Sequence, residues 1–164
     1  RILPIYEGTT AIQANDLVGR KTVRDGGAFA RSVAAQIEET EGALAQDGSA
    51  AAQAVRTQLA RARAAFVEVV DFIAKSGKAQ PNAAFAGSVP YLMLAGNLVA
   101  GWQLARSLLA AQQLLAAGED TEFMQAKIST ARFYAEHILP RTVALRDAVV
   151  NGADSVMALP MDAF

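Results

Sequence analysis

Six apolar residues in the middle of the chain, Val55, Leu59, Ala62, Phe66, Val69 and Ile73, follow one another at alternating steps of four and three. That spacing keeps all six on one face of an α-helix, whereas a strand would scatter them over both faces of its sheet. Arg56, Arg61, Arg63 and Glu68 fall off the stripe, so the helix has a wet side and a dry side and needs other helices to cover the dry one. Similar spacing precedes it at Phe29, Val33, Ile37 and Leu44, after a Gly26-Gly27 pair and before Asp47-Gly48. It returns at Met124, Ile128, Ala131, Ala135, Ile138, Thr142, Leu145 and Val149, running across Pro140. Alanine supplies 36 of the 164 residues, which suits closely packed helices and gives sheets little. No segment of useful length shows a strand period, and the expected fold class is all-α.

The breaks place the elements. A first helix is predicted from about Thr10 to Arg24 and a third helix ending at Gly77. Pro81 to Gly118 reads as one helix, with Pro90 either in a first turn or at a kink, and the kinked helix is the favoured reading. Thr121 is a candidate cap for the last long helix, and the tail from Ala153 to Phe164 reads as an extended or frayed end. Short connections force neighbours antiparallel, so the expectation is an up-and-down bundle of about four long helices plus one N-terminal helix. Leu59 and Ile138 are expected in its core, with Phe85, Tyr91 and Trp102 as aromatic anchors.

Composition removes several kinds of function. Fifteen basic and sixteen acidic residues give a net charge of −1, which argues against a nucleic-acid-binding face. With no cysteine and one histidine, His137, thiolate chemistry is absent and a metal centre is not expected; His137 reads as a packed side chain. Ala79 to Ala105 carries no charge, yet it contains Gln80, Asn82, Ser88, Asn97 and Gln103 and no flanking topology signal. It is expected to be a buried central helix and not a membrane span. The clusters Glu38-Glu39-Glu41 and Arg56-Arg61-Arg63 read as solvated helix faces. A start at Arg1 without an initiator Met reads as a fragment or a processed piece, and a cytoplasmic location is expected.

One segment is different in kind: Pro4-Ile5-Tyr6-Glu7-Gly8-Thr9-Thr10-Ala11-Ile12-Gln13. It holds a carboxylate on a tight loop just before a helix, next to a glycine that lets a ligand approach the backbone. These are ingredients of a positioned general base, although a helix-start charge favoured by the macrodipole has the same look. The string Pro4 to Thr9 followed by Ile12-Gln13 resembles the catalytic signature of flavin-dependent acyl-CoA dehydrogenases. The resemblance implies that Glu7 removes the α-proton of an acyl-CoA thioester while a β-hydride passes to FAD. It implies that Gly8 sits against the bound thioester and that Thr9 and Gln13 face the flavin cofactor.

The resemblance further implies residues 1–24 as the end of the dehydrogenase core and residues 25–164 as an additional C-terminal helical domain. The partners it implies are the acyl-CoA substrate, the remainder of the core, an electron-transfer flavoprotein and a homodimeric or higher assembly. The process it implies is fatty-acid β-oxidation. The competing reading of the same chain is a non-enzymatic helical interaction or oligomerisation module.

Overall fold

The computed structural model describes residues 9–156 and 158–163. Among the described residues the chain is helical and has no strand. Helix α1 (Thr10–Asp16) runs directly into a wider π-helical stretch (Leu17–Val23), followed by α2 (Ala28–Gln46), α3 (Ala50–Ala79), the short α4 (Pro81–Ala86) and α5 (Ser88–Ala116). Helices α6 (Thr121–His137), α7 (Arg141–Asn151) and α8 (Ala153–Val156) complete the order, with a 3₁₀ turn at Met161–Ala163.

Local chemistry starts the long helices. Ser49 accepts from the Ala52 amide at 3.1 Å and so caps α3. Helix α2 begins at Gly27, whose φ of 82° lies in the left-handed region and whose Cβ, if it had one, would stand 2.5 Å from Val70 Cγ1. Gly27 has no side chain to cap with, and Asp25 does the work: its carboxylate accepts from the Gly27 and Phe29 amides, both at 2.9 Å.

The bundle is up-and-down. Helix α3 runs antiparallel to α2 and α5, and α6 with α7 returns along α5, so α3 and α5 form the middle and α2 and α6–α7 flank them. Cross-links mark the registers. Arg63 of α3 reaches Glu41 of α2, Trp102 of α5 donates to Thr40 of α2 at 2.8 Å, and Tyr134 of α6 donates to the Asn97 carbonyl of α5 at 3.2 Å. The predicted α3 stripe is buried along its whole length, from Val55 to Ile73. No helix among the described residues is long and apolar enough to cross a membrane.

Several details differ from the sequence reading. The first helix does not continue in α-geometry to Arg24 but widens at Leu17. Helix α2 buries Ala30, Ala34, Ile37, Glu41 and Leu44, leaving Phe29 69% exposed, because the close seat of Gly27 on α3 turns Ala30 inward. Helix α3 passes through Gly77, where Val23 occupies the space of a side chain, and ends at Ala79. The segment Pro81–Gly118 is not one kinked helix. It breaks at Gly87, packed on Val149, and Pro90 sits in the first turn of α5, where its missing N–H is not needed.

The last stripe likewise breaks before Pro140, and the slip places Leu139 in the core where Ile138 was expected; Ile138 is half-buried. Of the three aromatic anchors only Tyr91 is fully buried, while Trp102 is half-buried and Phe85 exposed. The described part of the tail holds two short helical turns, Ala153–Val156 and Met161–Ala163, with non-helical residues 158–160 before the second, where an extended or frayed end was expected.

Candidate functional site

Thr9 and Gln13 stand one helical turn apart at the start of α1. The Thr9 side chain accepts from the Ile12 amide at 3.4 Å, and its backbone carbonyl accepts from the Gln13 amide at 3.1 Å. This cap is why the helix starts here. Among the described residues the Thr9 hydroxyl only accepts, and the Gln13 side chain is exposed on the same side of the helix. Glu7 and Gly8 lie outside the described residues.

Beyond α1 the π-helical stretch joins this segment to the bundle. Thr22 is buried there, and its hydroxyl donates to the Leu17 carbonyl at 2.9 Å. Since that proton is committed, the Thr22 oxygen accepts from the Tyr91 hydroxyl, 3.0 Å away across the joint to α5. Tyr91 is fully buried, with its ring stacked on Phe66 at a centroid distance of 6.0 Å. Burial pushes the Tyr91 phenol above its ordinary pKa, and the hydrogen bond to Thr22 offsets this only in part. An apolar cleft of about 190 Å³ opens beside the joint, walled by Leu17, Phe29, Val33, Ala95 and Val99, with Lys21 at its edge.

The charged clusters also carry structure. Glu41, only 7% exposed, accepts from Arg63 Nε at 2.8 Å and Nη2 at 3.0 Å, and the exposed Glu38 accepts from the same Nη2 at 3.2 Å. The solvated faces expected for both clusters therefore hide a two-pronged ion pair between α2 and α3. The Glu41 hydrogen bond, followed by its charge and that of Glu38, outweighs burial and raises the Arg63 pKa. Asp47 sits where α2 meets α3 and α5. Burial there is outweighed by hydrogen bonds from Ser49 and Gln112, which hold the carboxyl below its usual range. His137, read from the sequence as a packed or hydrogen-bonded side chain, is exposed, with its ring tilted against the exposed Phe133 ring at a centroid distance of 4.6 Å. Among the described residues no group of three or more histidine or acidic side chains is placed to hold a metal ion.

Residues 29–160 match the protein family described as acetyl-CoA dehydrogenase C-terminal like. This chain belongs to the acyl-CoA dehydrogenase family. The 3-methylmercaptopropionyl-CoA dehydrogenase of Ruegeria pomeroyi is 54% identical over 157 residues, covering 96% of this chain and 26% of the relative. The broad-specificity linear acyl-CoA dehydrogenase FadE5 of Mycobacterium tuberculosis is 32% identical over 179 residues, covering all of this chain and 28% of the relative. A butyryl-CoA dehydrogenase of Syntrophomonas wolfei is 29% identical over 168 residues, again covering all of the chain and 27% of the relative. The chain thus spans about a quarter of the length of the curated relatives it matches.

Of the site residues expected from the sequence of this acyl-CoA dehydrogenase chain, the described structure brings Thr9 and Gln13 onto one side of α1. Sequence reasoning missed Thr22 as a structural residue and took Tyr91 only as a core ring. Nothing local signals their pairing, because the two are 69 residues apart.

Proposed function

We propose that this chain is the C-terminal part of an enzyme that dehydrogenates the α,β-bond of an acyl-CoA thioester, with Glu7 as the base that takes the α-proton. Residues 1–24 close the catalytic core and residues 25–164 form an accessory helical domain. The observation that carries the reading is the match of residues 29–160 to the family, with the Tyr6-Glu7-Gly8-Thr9 run upstream of it in the same chain. The α-proton of a thioester is weakly acidic, so a carboxylate removes it efficiently only in a site that sheds water and stabilises the enolate oxygen. Gly8 leaves room for the thioester at the backbone.

Thr9 and Gln13 suit FAD as neutral partners: an exposed hydroxyl and an exposed carboxamide one turn apart at a helix start. FAD, when bound, supplies the hydride acceptor. Acyl-CoA is the substrate, an electron-transfer flavoprotein the electron acceptor, and the remainder of the core and a second copy of the enzyme the structural partners. The location is cytoplasmic and the process β-oxidation. Most of the flavin and CoA surface belongs to the rest of the enzyme. The 164-residue chain alone is therefore expected to retain no FAD and to turn over no acyl-CoA.

The test is anaerobic flavin bleaching of the whole enzyme by a panel that includes 3-methylmercaptopropionyl-CoA, butyryl-CoA and longer linear thioesters, wild type beside Glu7→Gln. The variant is expected to keep its flavin and to bleach about 10²–10⁴ times more slowly, the usual worth of a general base. Equal bleaching by both, or a whole protein without flavin, would overturn the reading in favour of a helical interaction module.

A further inference from the structure

Threonines inside helices usually return their hydroxyl proton to a carbonyl three or four residues back. Thr40, Thr57 and Thr130 in this chain do so, bonding the carbonyls of Gln36, Gln53 and Ala126 at 3.3, 2.9 and 2.8 Å. Thr22 reaches five residues back, to Leu17. The Gly27 amide, which donates to the Thr22 carbonyl at 2.8 Å, belongs instead to the closure of the helix end, with Gly26 in the left-handed region and its amide bonded to the Val23 carbonyl. The hydroxyl therefore matches the π spacing of Leu17–Val23, and Tyr91 is the group that accounts for it. With its ring stacked on Phe66 and the whole residue buried, the Tyr91 hydroxyl has one described partner, the Thr22 oxygen. A Thr22 shifted to the ordinary spacing would leave that buried hydroxyl unpaired, which is expensive.

A π stretch is a phase device. One extra residue in a helix with 3.6 residues per turn rotates everything before it by about 100° relative to everything after it. Thr9 and Gln13 lie before the stretch and the bundle after it. We propose that Tyr91 is a positioning residue for the active-site segment: through Thr22 it holds the π register, and the register sets the direction in which Thr9 and Gln13 face. This rests on the proposed function for the identity of the active site, while the register itself is a property of the 164-residue chain.

Two measurements test it. In the 164-residue chain, couplings across backbone hydrogen bonds, read by NMR, are expected to report five-residue pairing at Leu17–Val23 in the wild type and four-residue pairing in Tyr91→Phe and Thr22→Val. Unchanged pairing in both variants would overturn the lock. In the whole enzyme, both variants are expected to keep flavin and a KM within about twofold, yet to lose about ten- to hundredfold in kcat, the cost of misplacing reacting groups by about an ångström.

Thr22→Ser, which keeps the hydroxyl, is expected to restore wild-type turnover. A Thr22→Ser as slow as Thr22→Val, or a loss of turnover that vanishes on cooling along with a lost stability, would overturn the positioning role. Glu7→Gln measured alongside separates the two possible failures. If it still turns over, the active-site assignment falls and the NMR result alone judges the lock. If it is inert beside a fully active Tyr91→Phe, only the positioning role falls.

Discussion

Gly101 lies so close to Leu139 that a Cβ on the glycine would stand 2.6 Å from Leu139 Cδ2. Helix α5 and the break between α6 and α7 meet at this point, and Leu139 is fully buried there, with little room to turn aside. Gly101→Ala gains helix propensity of about 1 kcal/mol but overpacks a closed core at about 1–3 kcal/mol. The expected result is a net loss of stability in urea denaturation of the 164-residue chain. Gly96→Ala, five residues earlier on the exposed side with open space around its Cβ position, is expected to stabilise it.

Leu59 is fully buried at the middle of α3, and Leu59→Ala is expected to cost about 2–5 kcal/mol. A loss below about 0.5 kcal/mol, the size of a surface substitution, would show that this stripe is not core.

The stripe on α3 was legible because nothing interrupts it: one helix, one face, one repeat. Phe29 and Ile138 were misread because both sit beside an interruption. Gly27 sets the phase of α2 one residue later than the Phe29 spacing suggests, and the turn before Pro140 hands the core position from Ile138 to Leu139. The buried acid Glu41 was misread for a different reason. Spacing alone placed it with the charged residues around it, and its burial depends on Arg63 arriving from another helix. In the site, the four-residue interval between Thr9 and Gln13 could be read directly. The joint behind them could not, since its partner comes from α5.

Arg63 joins two carboxylates of unlike standing, and they should respond differently. Arg63→Ala leaves Glu41 buried beside α3 without its two hydrogen bonds, which is expected to cost about 3 kcal/mol. Glu38→Gln touches the exposed partner and should cost less than about 1 kcal/mol. Thermal or urea midpoints of the two variants check this; equal losses would mean that the inner pair contributes no more than the outer one.

The Tyr91 phenol ionises less readily in the folded chain than in the unfolded one. The folded state therefore keeps the proton longer, and the stability this contributes is fully present below the unfolded value near pH 10. It is lost as pH rises from there through the higher folded value. Wild type should be more stable than Tyr91→Phe at pH 8, and the gap should narrow above pH 10 by at most about 1.4 kcal/mol per pH unit. Urea midpoints of the two proteins between pH 8 and 11 measure the narrowing. A gap independent of pH would show that the phenol is not shielded.

The bond from Tyr91 to Thr22 also has a place in time. Part of the bundle is built from helices that follow one another along the chain, such as α2 with α3 and α5 with α6, whose contacts can close early and over short loops. The Tyr91 bond spans 69 residues and cannot form until α5 has come to rest beside the π-helical stretch. The beginning of this chain thus waits for its middle: the joint at Thr22 closes only once α5, made later, has settled against it.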